Sequence, residues 1–366
     1  MKRIRKKTIA IAAVLGGTVF GGLALALHGM PGGGPPGPPQ KDMPVDAAMR
    51  AEAIDSVIAR MNRHYVFPDK AAALETRLRA LAQSGEFDRV TSAEAFAETL
   101  TKTLQRELSD KHVGVRYSEK IIPEMTNDNE QSADDEAAER IEQVRFNFGV
   151  SGFNRLRGNI GYVDLHQFGR PGGTAERYAG VMALLVDTAA LIVDLRKCDG
   201  GDPESVMLFA SYLYDKPTHL NDIYWRDENR TDVRWTTEQV AGKKYGETRK
   251  VYLLTSEDTF SGCEDLAYAL KNNHRATVIG ETTGGGAHAG DPQRVSAHFQ
   301  MFVPGGRPIN PVTHTDWEGT GVTPDIPTSQ SKALDVAQIT ALKAMVAAES
   351  DAEWKARLQR RIDELE

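Results

Sequence analysis

At 366 residues the chain exceeds one modest domain and is read as one large domain with a smaller companion. A composition of 40% hydrophobic and 26% charged residues excludes a disordered or fibrous protein. Five basic residues lie in the first seven positions, and without them 39 basic groups face 51 acidic ones, a balance of −12 that excludes a nucleic-acid-binding surface.

In chain order, the basic cluster Lys2, Arg3, Arg5, Lys6 and Lys7 precedes an uncharged apolar run from Thr8 to Leu27. Residues 1–29 therefore read either as a cleaved signal peptide or as an uncleaved anchor, with residues 8–27 just long enough to span a bilayer. Both readings place the folded part outside the cytoplasm, exported and periplasmic, with membrane contact only through this segment. The absence of cysteine near residue 27 argues against a lipid anchor. Residues 30–44 form a linker, since MPGGGPPGPPQ packs as neither helix nor strand.

Residues 45–115 are a helical subdomain of three short segments. Ile54, Val57, Ile58 and Met61 recur at helical spacing, as do Leu74, Leu78 and Leu81, then Phe96, Leu100, Leu104 and Leu108. Thr91 with Glu94 matches a capping box opening the third. Residues 116–158 connect, and carry the acidic stretch TNDNEQSADDEAAERIE, a solvated loop or exposed helix.

From residue 159 to 347 short apolar strands alternate with helices: Ile160–Leu165, Ala190–Leu195, Val251–Thr255 and Ala276–Gly280 as strands, Thr174–Leu185, Ser205–Tyr214 and Cys263–Asn272 as helices. This rhythm predicts an α/β fold with a mixed, largely parallel sheet. Arg294–Val303 is read as one hairpin arm, turned by Pro304-Gly305-Gly306, and residues 348–366 as a C-terminal helix.

Within this frame Ser261 stands where a buried strand, after a short loop, gives way to an amphipathic helix. The unpaired first-turn N–H groups and the positive end of the helix dipole stabilise negative charge there. A serine beginning a helix more often only caps it, and Ser261 with Glu264 fits a capping box. Gly200-Gly201 follow the apolar strand ALIVDL, at the strand end where ligands of such sheets bind. They match neither dinucleotide nor phosphate-loop fingerprints. Among nine histidines, His112 lies where helix gives way to extended chain and His288 within GETTGGGAHAG. No HxxxH or HxH pair suggests a metal, and no cofactor motif occurs. Glu318, in DWEGTGVTPDI, is a carboxylate fixed among glycines and prolines. Two cysteines, Cys198 and Cys263, are too few for a disulfide framework.

Taken together, Leu108-Ser109-Asp110-Lys111-His112, Asp194-Leu195-Arg196 with Gly200-Gly201, Thr259-Phe260-Ser261-Gly262-Cys263-Glu264, the segment from Gly280 to His288, and Trp317-Glu318-Gly319-Thr320-Gly321-Val322-Thr323-Pro324-Asp325 resemble the tail-specific (C-terminal-processing) serine protease family. The branch is that of interphotoreceptor retinoid-binding protein repeats and the tricorn protease core, and the likeness runs from Val45 to Ala347. It implies a crotonase-like α/β core behind a helical N-terminal subdomain, and a peptide or protein substrate. Ser261 takes the nucleophile's place. Gly286 stands where the bacterial processing proteases have their lysine, which excludes a Ser-Lys dyad. The resemblance then makes His112 the base and Glu318 its orienting partner, with oxyanion donors from Gly262 and the Gly200-Gly201 turn. His288 looks like a loop residue. No PDZ insertion is evident between His112 and Asn159. Cys198 stands in place of the family's usual asparagine and Cys263 in place of a small residue, so the two flank the site, either as a disulfide or as separate buried thiols. Related repeats that carry retinoids and fatty acids leave a catalytically silent apolar-ligand carrier as the alternative.

Overall fold

The computed structural model describes residues 40–124 and 133–366, the side chains of 133–136 apart. The apolar run 8–27 and most of the linker fall outside these residues. No helix among the described residues is long and apolar enough to cross a membrane.

Three helices, α1 (Ala47–His64), α2 (Pro68–Gln83) and α3 (Ala93–Leu108), open the fold. Their apolar stripes meet in one core that buries Ile54, Val57, Met61, Leu74, Leu78, Phe96, Leu100 and Leu104. The cap of α3 is Ser92, whose side chain accepts from the Ala95 N–H, and not Thr91. The Glu94 N–H is taken instead by Asp42. A distant acceptor has replaced the local box.

This helical layer is closed by an antiparallel sheet whose strands come from both halves of the chain. Its members are β1 (Gly114–Tyr117), β5 (Asp222–Trp225), β6 (Arg230–Asp232), β9 (Ala289–Arg294) and β10 (Phe299–Ile309). The strand β10 pairs with β1, β5 and β9. Pro304-Gly305-Gly306 does not turn: β10 runs straight through it, with a register shift between Pro304 and Gly306. The bulge relieves the missing proline N–H, and the Pro304 carbonyl accepts from Val66 in the helical layer. The hairpin turns earlier, between Arg294 and Phe299.

The second sheet contains β2 (Val150–Leu156), β3 (Ile160–Leu165), β4 (Ala190–Asp194), β7 (Lys250–Thr255), β8 (Ala276–Gly280) and β11 (Ile326–Pro327), ordered β11-β8-β7-β4-β3-β2. All neighbours are parallel except β2 and β3. The expected α/β class with a mixed, largely parallel sheet is what the chain adopts. The core begins with β2, ahead of the boundary at 159, because β2 completes the sheet edge.

Helices α5 (Gly173–Leu185), α6 (Pro203–Ser211) and α7 (Gly262–Asn272) cover one face of this sheet. The other face is buried under α8 (Ala333–Ala348) and α9 (Ala352–Leu365), the latter falling within the residues 348–366 read as a C-terminal helix. The acidic connection contains α4 (Ala133–Arg145), which exposes Ile141 and Val144. Three loops leave the carboxyl ends of β4, β7 and β8, the edge where open α/β sheets bind ligands.

Candidate active site

The loop after β7 delivers Ser261 to the N-terminus of α7 with φ 51° and ψ −122°. A non-glycine residue in this region is strained, and such strain gathers at functional sites. The conformation is held by Glu264. This fully buried carboxylate accepts from the N–H groups of Ser261 (2.9 Å), Gly285 (2.7 Å) and Gly286 (2.9 Å), and from the Thr283 hydroxyl (2.5 Å). Burial pushes Glu264 up to about 7, against the pull of these four donors. The capping-box glutamate thus ties the Ser261 backbone to the loop after β8. Capping and the strained turn coexist.

The loop after β4 lies against Ser261. A Cβ on Gly200 would sit 2.7 Å from the Ser261 Cβ, so only glycine fits there. The Gly200 N–H, one of the expected oxyanion donors, is engaged with Cys263 Sγ at 3.1 Å. Around Gly201, Phe168 gives its N–H to the Gly200 carbonyl and takes the Asp202 N–H, leaving the Gly201 N–H without a partner among the described residues. A Cβ on Gly262 would lie 3.2 Å from the Gly201 nitrogen, so these two N–H groups share one corner. Cys198 and Cys263 form a disulfide with Cα atoms 5.9 Å apart, joining the two loops covalently.

His112 arrives from the helical layer. Its ring is buried and stacks on Phe260, the residue before the serine, with centroids 4.7 Å apart. Burial, opposed by Asp110 and reinforced by His288, lowers His112 to about 4, so it is neutral at pH 7 and able to accept a proton. A Cβ on Gly286 would fall 2.8 Å from His112 Cε1 and 2.1 Å from the Phe260 ring. The space a side chain would need at 286 is therefore filled first by the Phe260 ring and then by His112. No hydrogen bond joins His112 to Ser261; such contacts commonly tighten only when substrate is bound.

Beside His112 lies a polar cluster only partly visible from the sequence. One donor atom each of Asp110, His112 and Glu318 lie within 4.8 Å of one another. Asp110 is buried and committed on both oxygens: Oδ1 accepts from the His112 N–H (3.0 Å), Oδ2 from Tyr65 (3.0 Å) and from His288 Nδ1 (2.6 Å). Those bonds tie Asp110 to Tyr65, His288 and the His112 backbone. Glu318 Oε2 accepts from the N–H groups of Ala287 (2.6 Å) and His288 (3.3 Å) and lies 3.6 Å from His288 Nδ1. Glu318 Oε1 and His112 Nδ1 are both buried without a hydrogen-bond partner. Burial and then the charge of Asp110 push Glu318 up to about 7.

His288 corrects the sequence reading. It is buried at 2% exposure, packed on Phe67 and paired with Asp110, so it belongs to the site's foundation and is not a free loop residue. Asp110 was missed as a site residue. Its only sequence signal was its place two residues before His112.

A strained serine at a strand-to-helix junction, flanked by glycine N–H groups and with a buried neutral histidine packed on the preceding Phe260, suits a serine peptidase. The chain belongs to peptidase family S41: residues 159–328 match that family, and residues 47–153 match the N-terminal domain of Peptidase_S41 in eukaryotic IRBP. It is 32% identical over 181 residues to the chloroplastic carboxyl-terminal-processing peptidase 2 of Arabidopsis thaliana, a match spanning 47% of this chain and 32% of that relative. The fold is similar to a lipoprotein from Streptococcus agalactiae (TM-score 0.55, 12% identity, 80% of this chain and 96% of the other). It is also similar to mature CPAF (TM-score 0.52, 12% identity, 82% and 98%).

Proposed function

We propose that the protein is an exported serine endopeptidase of the tail-specific type that works through Ser261, His112 and Glu318. The observation that carries this reading is the convergence of three chain segments on one corner. Ser261 is held strained at the start of α7, with the N–H groups of Gly201 and Gly262 sharing the corner next to it. Neutral His112 stacks on the adjoining Phe260. A silent carrier has no need for a strained hydroxyl beside a neutral base.

In the reaction His112 takes the Ser261 proton as Oγ attacks a peptide carbonyl. The carbonyl oxygen becomes an oxyanion and is met by the N–H groups of Gly201 and Gly262, each worth about 3–4 kcal/mol of transition-state stabilisation. His112, now an imidazolium, gives its proton to the leaving amine. Water then hydrolyses the acyl-enzyme with the same base. Glu318, through its unpartnered oxygen, orients and stabilises the imidazolium once the ring turns to it.

A fluorophosphonate probe tests the proposal. It is expected to label the wild type at Ser261, to fail with Ser261→Ala, and to react about 10²–10⁴-fold more slowly with His112→Ala. Absence of Ser261-dependent labelling overturns the reading and favours the apolar-ligand carrier. Export is checked by cell fractionation with residues 1–29 present and deleted.

A further inference from the structure

Next to the proposed base, two carboxylates share one buried corner. Asp110 and Glu318 each place an oxygen within 4.8 Å of the other and of His112. Two buried carboxylates that close cannot both stay ionised unless a cation lies between them. Among the described residues no lysine or arginine forms an ion pair with either. The basic group that faces both is His288, whose Nδ1 is 2.6 Å from Asp110 Oδ2 and 3.6 Å from Glu318 Oε2. His112 cannot serve, because a base must be neutral before it acts.

We propose that His288 is a buried imidazolium that holds Asp110 and Glu318 ionised, and so keeps Glu318 able to orient His112. The inference rests on the Ser261–His112–Glu318 reading and makes His288 a positioning residue, since it touches neither the substrate nor the reacting atoms. Its backbone N–H adds to this by bonding Glu318 Oε2.

The groups facing His288 favour the charged form. Asp110 and neutral His112 come from the segment after α3, and Tyr65, which donates its hydroxyl to Asp110, from the end of α1. Glu318 and Asp316 face it from the loop before β11, and the Phe67 ring packs edge-on at 5.3 Å. Burial opposes the charge on His288, but the Asp110 hydrogen bond and the charges of Asp110, Glu318 and Asp316 outweigh it and raise its pKa above the ordinary histidine value. In turn, His288 holds Asp110 below the usual carboxylate range, against the effect of burial.

The sign of the pH effect follows. With the cation gone, the carboxylates compete for a proton at higher pH, Glu318 becomes neutral sooner, and His112 loses its partner under conditions where the wild type still works. His288→Gln removes the charge and keeps an N–H donor for Asp110. The rate of Ser261 labelling by a fluorophosphonate, followed against pH, is expected to show an acid limb displaced upward by about one unit or more. The loss should lie in the limiting labelling rate, not in the probe's half-saturating concentration, and should shrink toward alkaline pH. A uniform loss at all pH values, with the limb unmoved, overturns the proposal.

A second measurement does not depend on that variant folding. In ¹⁵N-histidine-labelled Ser261→Ala protein, the ring nitrogens of His288 are expected to show an imidazolium at pH 7 that titrates only above the ordinary histidine range. A neutral ring at pH 7 overturns the proposal. Because the nuclear resonance readout needs no activity, failure of wild-type labelling would sink the peptidase reading without being mistaken for failure here.

Discussion

Gly286 shows how one missing side chain selects the chemistry. The Cβ absent there would lie 2.1 Å from the Phe260 ring and 2.8 Å from His112 Cε1, so no larger residue fits without moving the base. A side chain at 286 would displace the Phe260 ring first and the His112 ring packed on it second. Gly286→Ala is expected to fold, since the loop keeps the Glu264 and Trp317 bonds made by its backbone. It should nevertheless displace the His112 ring, and a shift on the order of 1 Å costs about 10²-fold in rate. Fluorophosphonate labelling rates with matched circular dichroism spectra check this; an unchanged rate would show that the ring does not act from its present position. Single residues were also where the sequence was least informative. Ser261, His112 and Glu318 were picked out by motif and neighbourhood. The Asp110–His288 bond spans 178 positions, and nothing local marks either end as its partner. His288 in a glycine-rich loop has the sequence texture of an exposed residue, and only long-range packing on Phe67 and Asp110 buries it.

At the scale of elements, the disulfide staples the β4 loop to the first turn of α7, the two pieces that supply the Gly201 and Gly262 donors. It closes a separation of 65 residues, for which chain entropy alone gives about 4 kcal/mol of stabilisation. Reduction is expected to lower the urea midpoint in proportion and to slow Ser261 labelling, because the Gly200-Gly201 turn loses its covalent tether to Ser261's helix. Denaturation and labelling with and without dithiothreitol measure both, and a reduced protein as stable as the oxidised one would show the bond to be incidental. Elements were the most legible level of the sequence. The run ALIVD is fully buried in a central parallel strand, as an unbroken apolar stretch should be. The misreadings came where tertiary partners overrode local signals. Proline and glycine at 304–306 ordinarily turn a chain, but β10 has neighbours on both sides and carries the triplet through as a bulge. At α3 the nearby Asp42 took the N–H that a local box would have claimed.

Across the whole molecule the candidate site is assembled between two layers, the proposed base from the helical layer and the proposed nucleophile from the parallel sheet. It therefore buries ionisable groups that ordinary cores exclude, and this sets the pH response. Glu264, Glu318 and Asp199 are all pushed up to about 7, burial being the leading cause for each. A carboxyl whose folded pKa is raised binds its proton more tightly in the folded state. Its stabilising contribution is full below the unfolded value near 4.5 for glutamate or 3.8 for aspartate, and is lost as pH rises through about 7. His288, also raised, stabilises the fold below about 6.5 and stops doing so once it deprotonates. His112 acts in the opposite sense: lowered to about 4, it costs stability as pH falls from about 6.5 toward 4. Among the site's groups, Glu264, Glu318, Asp199 and His288 therefore favour the acidic side, whereas His112 and Asp110, both lowered, lose stability there. The thermal midpoint is expected to peak near about pH 5–6 and to fall by a few degrees toward about pH 8. Labelling of Ser261 should instead climb through about pH 7 as Glu318 ionises, so the enzyme works on the descending side of its own stability curve. Differential scanning calorimetry across this range, in parallel with labelling rates, tests the separation. Coincident optima would mean that the buried carboxyls titrate at ordinary values, and that the site is more hydrated than its packing implies.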